Sequence, residues 1–431
     1  MAPRNRIIFD TDVGGDDMIG ILLAMTASAA DIEVLLLSVV WGNVNVDKGL
    51  KNIMTMFHIA ELEMQWRASR GDEIGFESLR TYKPVVAVGA PGALGEPEIL
   101  KTDGFRWADK RLDGPDGVGN FHATHPNLTP SDEWRSLFDY TAPRPGHTPT
   151  YFNYFTPSRL PAHKEMLRIL RNEPAGTVTV CSVGPMTNIA LAAAEDPEAF
   201  LRMKELLVMG GAIDVPGNIN PVAEANTWND AVACARVFAL TSLDPSSTMP
   251  VQQGPEIPLG PYPEGLSKRL CLKLFPLDIT LNHYVDYARF VEAVKPQMEM
   301  GSPLAVFVDT FLGAIFQKVQ FQYGDNASAK LALHDGLTVW YALSSHDPGW
   351  GLALNAPEDI RIEAAGQWTH GMHVPDRRNK RHADGVNETE IPGDSLGWLS
   401  SIRGNRINVV ATSPGGEVYH SRILQQIFRV A

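Results

Sequence analysis

Residues 7–17 read IIFDTDVGGDD, and this stretch decides the fold. A short apolar run, which predicts a buried strand, is followed by four closely spaced carboxylates, Asp10, Asp12, Asp16 and Asp17. The two glycines permit a tight turn that brings the first pair of carboxylates back towards the second. Like charges this close repel one another unless a cation neutralises them, and oxygen ligands favour Ca²⁺ or Mg²⁺. A simpler interpretation is that Asp16 and Asp17 only cap the following helix and offset its dipole.

Outward from this stretch, short β-branched runs alternate with amphipathic stretches. The pattern predicts strands over residues 6–9, 32–40, 85–88, 177–182 and 206–209, and helices over 16–28, 48–62, 185–194 and 229–240. Continuous apolar strands separated by helices are typical of a mostly parallel sheet covered on both faces. The right-handed crossover rule makes this a doubly wound α/β fold, in which ligands bind beyond the carboxyl ends of the strands.

Four segments interrupt the alternation of strands and helices. Residues 66–82 and 370–397 are polar, residues 101–165 are rich in Pro, Gly, aromatics and His, and residues 244–265 are rich in Pro. The strand–helix pattern resumes after each of the first three. We therefore interpret all four as insertions or loops in one catalytic domain that spans residues 1–431.

Composition limits the partners of the protein. The 431 residues carry a formal net charge of −13, which argues against nucleic acid or an anionic membrane surface as a partner. The longest apolar stretch, residues 18–30, is too short to span a bilayer. The three cysteines, Cys181, Cys234 and Cys271, do not form a disulfide framework, so we expect a reducing, cytoplasmic environment.

The acidic stretch resembles the N-terminal signature of the inosine/uridine-preferring nucleoside hydrolase family, which reads Asp-x-Asp-Pro-Gly-x-Asp-Asp. Val13 stands at the proline position, a change that alters the rigidity of the turn but removes no ligand. Other segments match in the order of the family: Gly42-Asn43, SVGPMTNIA at 182–190, MGG at 209–211 followed by Asn218, Glu224 and Asn226, and HDGL at 334–337. Several motifs in one order are more specific than any single motif.

The resemblance implies an enzyme that hydrolyses the N-glycosidic bond of ribonucleosides through an oxocarbenium-like transition state. It implies a Ca²⁺ cofactor held by Asp12, Asp17, Asp335 and the main-chain carbonyl of Val183. Asp12 would also orient or deprotonate the attacking water. The residues implied to bind substrate are Asp16, Asn43, Met209, Asn218, Glu224 and Asn226. Met209 is equally consistent with core packing, and Glu224 and Asn226 with a polar loop before a helix.

The part of the site that would hold the base is less well defined. In the family the histidine equivalent to His334 lies near the leaving base and can protonate it, although a histidine at a helix start is also commonly structural. Asp113 stands where inosine/uridine-preferring members carry a histidine. Candidates to stack on a base, or simply to anchor the loop, are the aromatics Trp107, Trp134, Tyr151, Phe152 and Tyr154.

Two other functions are consistent with part of the sequence. An apolar strand that ends in Asp10-x-Asp12 also resembles the nucleophile motif of haloacid-dehalogenase-type phosphatases, with Mg²⁺ as the ion. That interpretation leaves Asp16, Asp17 and His334-Asp335 unexplained. A nucleoside-binding protein without catalysis is the other alternative, although binding alone does not need a water-activating carboxylate. The resemblance also implies a homo-oligomer.

Overall fold

The computed structural model describes residues 3–95, 114–139, 141, 149–250, 259–324, 330–378, 380 and 391–430. Its centre is a nine-stranded sheet in the order β10-β13-β7-β6-β5-β1-β2-β3-β4. The pair β10 and β13 is antiparallel and the other pairs in this sheet are parallel. Two small antiparallel pairs, β8 with β9 and β11 with β12, lie outside it.

The strands are β1 Asn5–Thr11, β2 Ile32–Val39, β3 Val85–Val88, β4 Thr156–Pro157, β5 Val178–Ser182, β6 Glu205–Met209, β7 Leu272–Phe275, β8 Tyr284–Asp286, β9 Lys330–Ala332, β10 Gly351–Leu352, β11 Ile360–Ile362, β12 His373–Pro375 and β13 Asn408–Thr412. The α-helices are α1 Gly15–Thr26, α2 Val46–Arg70, α3 Glu77–Thr81, α4 Phe121–Thr124, α5 Arg135–Phe138, α6 Ala162–Asn172, α7 Thr187–Glu195, α8 Pro197–Phe200, α9 Ala225–Asn229, α10 Ala231–Ala239, α11 Leu277–Thr280, α12 Tyr287–Glu299, α13 Pro303–Tyr323, α14 Gly336–Ser344 and α15 Gly416–Ile423.

This architecture confirms the predicted doubly wound, mostly parallel α/β fold. The chain runs from β1 through β2 and β3 to β4 in one direction, and then from β5 through β6 to β7 in the other. The order of strands therefore reverses beside β1, between β1 and β5. In open parallel sheets a crevice forms at the carboxyl edge where this reversal occurs, and ligands bind there.

The alternating side chains of β1 explain the two layers of helices. Ile7 and Phe9 are buried in one hydrophobic core with Leu22 of α1, whereas Ile8 is buried in a second core with Ile189 of α7. Successive side chains of a strand point to opposite faces, so one apolar run can support helices on both sides of the sheet.

Helix α2 extends further than its apolar pattern predicts. It continues to Arg70, into the polar segment interpreted as an insertion. Arg67 is buried and donates to Glu63 one turn earlier, at 2.8 Å, and to the main-chain carbonyl of Ile427 at 2.9 Å. Polar residues therefore pack inside the protein here because each charge has a partner, which hydropathy alone does not reveal.

Helix α13 is the one described helix that is long and apolar enough, by length and composition, to cross a membrane. Its first half packs into the core through Leu304, Phe307 and Phe311. Its second half lines the cavity described below, through Ile315 and Val319. A helix that packs in the interior of a protein passes the same test, so this composition does not by itself identify a membrane span.

Candidate active site

A cavity of about 400 Å³ opens at the carboxyl edge of the sheet, where the strand order reverses. Nine of the eleven residues singled out from the sequence line it: Asp16, Asn43, Val183, Met209, Asn218, Glu224, Asn226, His334 and Asp335. The other two, Asp12 and Asp17, are buried and hydrogen-bond to the lining residue Asn43. The structure therefore brings together residues that are far apart in the sequence.

Three carboxylates form a cluster at one end of the cavity. Asp16, Asp17 and Asp335 each place an oxygen within 4.8 Å of the others. Burial raises the pKa of Asp17 to about 6, and the charge of Asp16 adds to the increase. The pKa of Asp335 is raised well above its usual value by burial and then by the charges of Asp16, Asp17 and Asp12. A bound cation would relieve this repulsion and stabilise the ionised forms.

The cluster differs in one respect from the set implied by the resemblance. The resemblance assigns Asp16 to the ribose, whereas Asp16 lies with Asp17 and Asp335. Asp12 lies close enough for its charge to raise the pKa of Asp335. Asp17 also accepts hydrogen bonds from the Gly14 N–H at 2.7 Å and the Thr11 hydroxyl at 2.5 Å. The helix-capping interpretation is thus correct for Asp17, and capping accounts for only part of its environment.

Asp12 is held in a closely fitting recess. Its carboxylate accepts hydrogen bonds from the main-chain and side-chain N–H groups of Asn43, at 2.5 and 3.2 Å. A Cβ at Gly42 would lie 2.2 Å from Asp12 Oδ2, and one at Gly184 would lie 3.0 Å from Asp12 Cβ. These two glycines belong to the segments at 42–43 and 182–190, so their small size explains why the backbone can approach the carboxylate.

The turn between β1 and α1 has an unusual backbone. Val13 has a φ of 49°, in the left-handed region that β-branched residues rarely adopt. A proline ring fixes φ near −65°, so the proline of the family signature does not fit this backbone. The difference from the signature is therefore one of conformation as well as rigidity. The side chain of Asn52 supports the turn by donating to the carbonyl oxygens of Val13 and Asp116, at 3.0 and 2.9 Å.

Glu224 caps the start of α9, and Asn226 lies in its first turn. Glu224 is buried, and its carboxylate accepts from the N–H groups of Asn226, Gly211 and Thr227 at 2.8, 2.9 and 3.1 Å. Burial raises its pKa, and these three hydrogen bonds oppose the increase. Asn226 donates through Nδ2 to the carbonyl of Val183 at 2.8 Å. The side chains are therefore ordered by the protein itself, while they also face the cavity.

His334 lines the cavity and precedes Asp335 of the carboxylate cluster in the chain. Its Nδ1 is 2.8 Å from the Thr280 hydroxyl, a contact that fixes the orientation of the ring. The pKa of His334 is lowered, mainly by burial and also by the charge of Lys318, while Asp16 acts in the opposite direction.

We call Asp16, Asn43, Val183, Glu224, Asn226 and Asp335, with Asp12 and Asp17 beneath them, the inner end of the cavity. We call the opposite side the outer wall, formed by Leu281, Ile315, Lys318, Val319, Gln322, Tyr323, Lys330 and Ala332. The sequence analysis missed the outer wall. Five of its residues follow the three- and four-residue spacing of one face of α13, which is the signal that could have indicated a shared surface.

The loop aromatics are not part of this cavity. Trp134, Tyr151 and Phe152 are buried in the same hydrophobic core as β1, and Tyr154 packs against it. These four therefore anchor their loops, as the alternative interpretation proposed. Trp107 and Asp113 lie outside the described residues.

Asp10 has an environment that argues against a covalent nucleophile. It is fully buried, and one of its oxygens accepts from Ser38 at 2.5 Å and from Asn188 at 2.9 Å. Burial raises its pKa to about 7. A phosphatase nucleophile must be ionised and must reach the substrate, whereas Asp10 is absent from the residues that line the cavity.

Comparison with known proteins places the chain in a family. Residues 7–392 match the sequence profile described as inosine-uridine preferring nucleoside hydrolase. The chain belongs to this family. The match confirms the resemblance drawn from the motifs and, at the level of the family, the prediction of a nucleoside hydrolase-type enzyme.

Individual relatives agree with this assignment. The chain is 30% identical over 372 residues to an uncharacterized protein of Schizosaccharomyces pombe, covering 86% of this chain and 89% of that protein. It is 28% identical over 235 residues to a protein of Oryza sativa subsp. japonica named probable uridine nucleosidase 1, covering 54% of this chain and 55% of that protein. The match thus spans about half the length of the rice relative.

A solved structure shows the same fold. The purine-preferring ribonucleoside hydrolase from Gardnerella vaginalis superposes with a TM-score of 0.62 and 17% sequence identity, covering 98% of both chains. At this identity the likeness concerns the fold alone. It agrees with the doubly wound sheet described above.

Proposed function

We propose that this protein hydrolyses the N-glycosidic bond of ribonucleosides and uses Ca²⁺ as its cofactor. The observation that carries the proposal is the convergence of nine of the eleven predicted site residues on one cavity. Three carboxylates that lie within 4.8 Å of one another at its inner end give that cavity a place for a cation. Family membership makes a nucleoside the expected substrate.

The donor groups at the inner end fit a hard cation. Asp12, Asp17 and Asp335 supply carboxylate oxygens, and the Val183 carbonyl faces the same cavity. Asp16 joins the carboxylates in the cluster, so it is a fourth candidate ligand. We assign Ca²⁺ because it accepts many oxygen ligands in flexible geometry, whereas Mg²⁺ requires a near-ideal octahedron.

Asp12 has the position of a general base. When bound, the cation would lower the pKa of a coordinated water. The two hydrogen bonds from Asn43 hold the Asp12 carboxylate in one orientation. In that orientation Asp12 would accept a proton from water. The hydroxyl oxygen then attacks the anomeric carbon, the bond from that carbon to the base breaks, and the bonding electrons leave with the base.

The predicted substrate-binding residues would hold the sugar during this step. Asp16, a member of the carboxylate cluster, and Asn43 suit the ribose hydroxyls, while Asn218, Glu224 and Asn226 suit the 3′ and 5′ side of the sugar. Met209 lies with them and contributes an apolar contact. Carboxylates close to the ring also stabilise the positive charge that builds up at the anomeric carbon.

His334 and the outer wall would contact the base. His334 is the candidate acid for the leaving base because it lines the cavity together with Ile315 and Lys318 of α13. The relatives differ in the substrates that their names give, uridine in the rice protein and purine nucleosides in the Gardnerella enzyme. We therefore assign the substrate class as ribonucleosides and propose no single base.

The proposal is tested by measuring base release from purine, pyrimidine and nicotinamide ribosides, with and without a chelator. We expect release from at least one class, loss of release in chelator and recovery with added Ca²⁺. Elemental analysis should find about one Ca²⁺ per chain, because the inner end provides one cluster of ligands. Full activity in chelator, with no divalent ion in the purified protein, would remove the metal from the mechanism.

A further inference from the structure

The segment at residues 369–373 contacts the part of the chain that carries Glu224 and Asn226. Neither the metal nor the proposed catalytic steps account for this contact. The segment lies between β11 and β12, at the end of their hairpin. Met372 forms an isolated antiparallel bridge with Ala223, the residue directly before Glu224. Within the hairpin, Gly371 donates to the Glu363 carbonyl at 2.7 Å and Glu363 donates to the Met372 carbonyl at 3.0 Å.

Close approach of the two segments depends on Gly371. Its φ is +82°, and a Cβ at this position would lie 2.8 Å from Trp228 Cα and 3.1 Å from Ala223 Cβ. Only glycine permits both the left-handed backbone and this short distance. On the other side of the loop, the ring of His373 lies against Gly211, where a Cβ would come within 2.5 Å of it.

His370 makes the polar contact between the segment and α9. It is buried; its Nε2 is 3.0 Å from the carbonyl oxygen of Trp228, and its Nδ1 is 3.2 Å from that of Ala364. Both partners are acceptors, and burial lowers the pKa of His370, so the neutral ring has one N–H to donate. The shorter contact assigns that N–H to Nε2, which donates to the Trp228 carbonyl. The Trp228 carbonyl belongs to the last turn of a short helix, where carbonyl groups lack donors within the helix.

We propose that His370 is a positioning residue for sugar binding, which acts by fixing the C-terminal end of α9 while Glu224 caps the N-terminal end. Asn226 lies between these two attachment points and donates to the Val183 carbonyl. A helix of one turn has little stability of its own, so its orientation depends on such contacts. The functional part of this inference rests on the proposed function, whereas the contact itself does not.

Two substitutions separate the roles of the two ring nitrogens. The amide of His370→Gln places its nitrogen near the position of Nε2 and retains a donor for Trp228. His370→Asn places its nitrogen near the position of Nδ1 and retains a donor for Ala364 only. We expect His370→Asn to raise KM for every accepted ribonucleoside by about tenfold, with kcat changed much less, because one buried hydrogen bond that orders the sugar site is lost. His370→Gln should stay close to wild type.

His163→Ala is the matched control, because that partly buried histidine pairs with Glu195 of α7 and does not line the cavity. Gly371→Ala is a second variant, which pushes α9 away while His370 is kept, and it should raise KM in the same way. A KM unchanged in both His370→Asn and Gly371→Ala, or an equal change in the Gln and Asn variants, would overturn the proposal.

Hydrogen exchange at the amides of residues 225–229 gives a readout that does not depend on activity. His370→Asn should speed exchange there, whereas His370→Gln and His163→Ala should not. If the wild-type protein releases no base from any riboside, the proposed function fails, and exchange still decides the contact. Unchanged exchange in His370→Asn would show that His370 does not hold α9, whatever the kinetics.

Discussion

The inner end and the outer wall of the cavity are built in different ways. Several residues of the inner end come shortly after β1, β2 and β5, at the edge where parallel strands end together: Asp12, Asn43 and Val183. Their order in the chain is therefore fixed by the fold, and short motifs reveal them. The outer wall comes from one face of α13 and from β9, whose positions depend on tertiary packing.

The two regions also differ in charge. The charged residues of the inner end are carboxylates, whereas the charged residues among the described parts of the outer wall are Lys318 and Lys330. Under the proposed function, chemistry at the anomeric carbon restricts which residues the inner end can contain. Contacts to a base can be made by many side chains, so we expect changes at the outer wall to alter substrate choice more than rate.

The largest effect is expected at the inner end, from Asp12→Asn. The amide cannot accept the proton of the water and is a poorer metal ligand, so kcat should fall by about a thousandfold or more. Thermal unfolding and metal content identify any loss of fold or ion. Asp72→Asn, an exposed residue paired with Arg70, is the control. Turnover within tenfold of wild type would mean that another group is the base.

The free energy of unfolding should depend on pH through His373, which packs against Gly211. Burial lowers the pKa of His373 to about 4, against about 6.5 for an exposed histidine. A lowered folded pKa means that its stabilising contribution is present above pH 6.5 and is lost as pH falls towards 4. The difference corresponds to about 3 kcal/mol. Denaturant unfolding at pH 7 and pH 4.5 should show a smaller loss in His373→Val, and equal losses in both proteins would refute this assignment.

A moderate effect, uniform across bases, is expected from Asn226→Ala. Loss of one buried hydrogen bond to the sugar should lower kcat/KM by about tenfold for every accepted ribonucleoside. The preference for a ribonucleoside over its 5′-deoxy analogue should shrink, because a partner of the hydroxyl is gone. If the variant reorders the bases and keeps the 5′-hydroxyl preference, the inner end does not have the role proposed here.

The smallest effect, and one that differs between bases, is expected from Lys318→Met. Removing a cation near His334 while keeping a chain of similar length should change kcat/KM by roughly threefold for bases with polar edges. The preference among sugars should stay constant. Lys295→Met, an exposed lysine on α12, is the matched control. A uniform loss across bases would place Lys318 with the inner end in function.

The sequence was informative wherever a residue follows a strand. The core strands and the acidic stretch at residues 10–17 were predicted from local patterns, because burial on both faces of a parallel sheet leaves continuous apolar runs that end at the site. The other residues of the inner end were predicted from the resemblance to the family. The sequence was uninformative for backbone conformation. Val13 was expected to change only the rigidity of a turn, whereas its positive φ excludes the proline of the signature.

Contacts between distant segments were also hidden. No role was predicted for His370, because its two carbonyl partners lie 142 and 6 residues away in the sequence. The polar end of α2 was interpreted as an insertion, since the pairing of Arg67 with Glu63 and with the C-terminal segment follows only from tertiary packing. The pattern of apolar residues shows which face of a helix or strand is buried, but it does not show which segment packs against that face.

The central claim is that water attacks the sugar at the inner end of the cavity, while the base lies against the outer wall. The most direct test is to incubate the protein with uridine and inosine in ¹⁸O-labelled water, with Ca²⁺ and with phosphate also present, and to analyse both products by mass spectrometry. We predict free ribose and a base without label; the ribose should carry one ¹⁸O atom when it is reduced to the alditol faster than its anomeric oxygen exchanges with water. Ribose 1-phosphate as the product, or no cleavage of any ribonucleoside, would contradict the account.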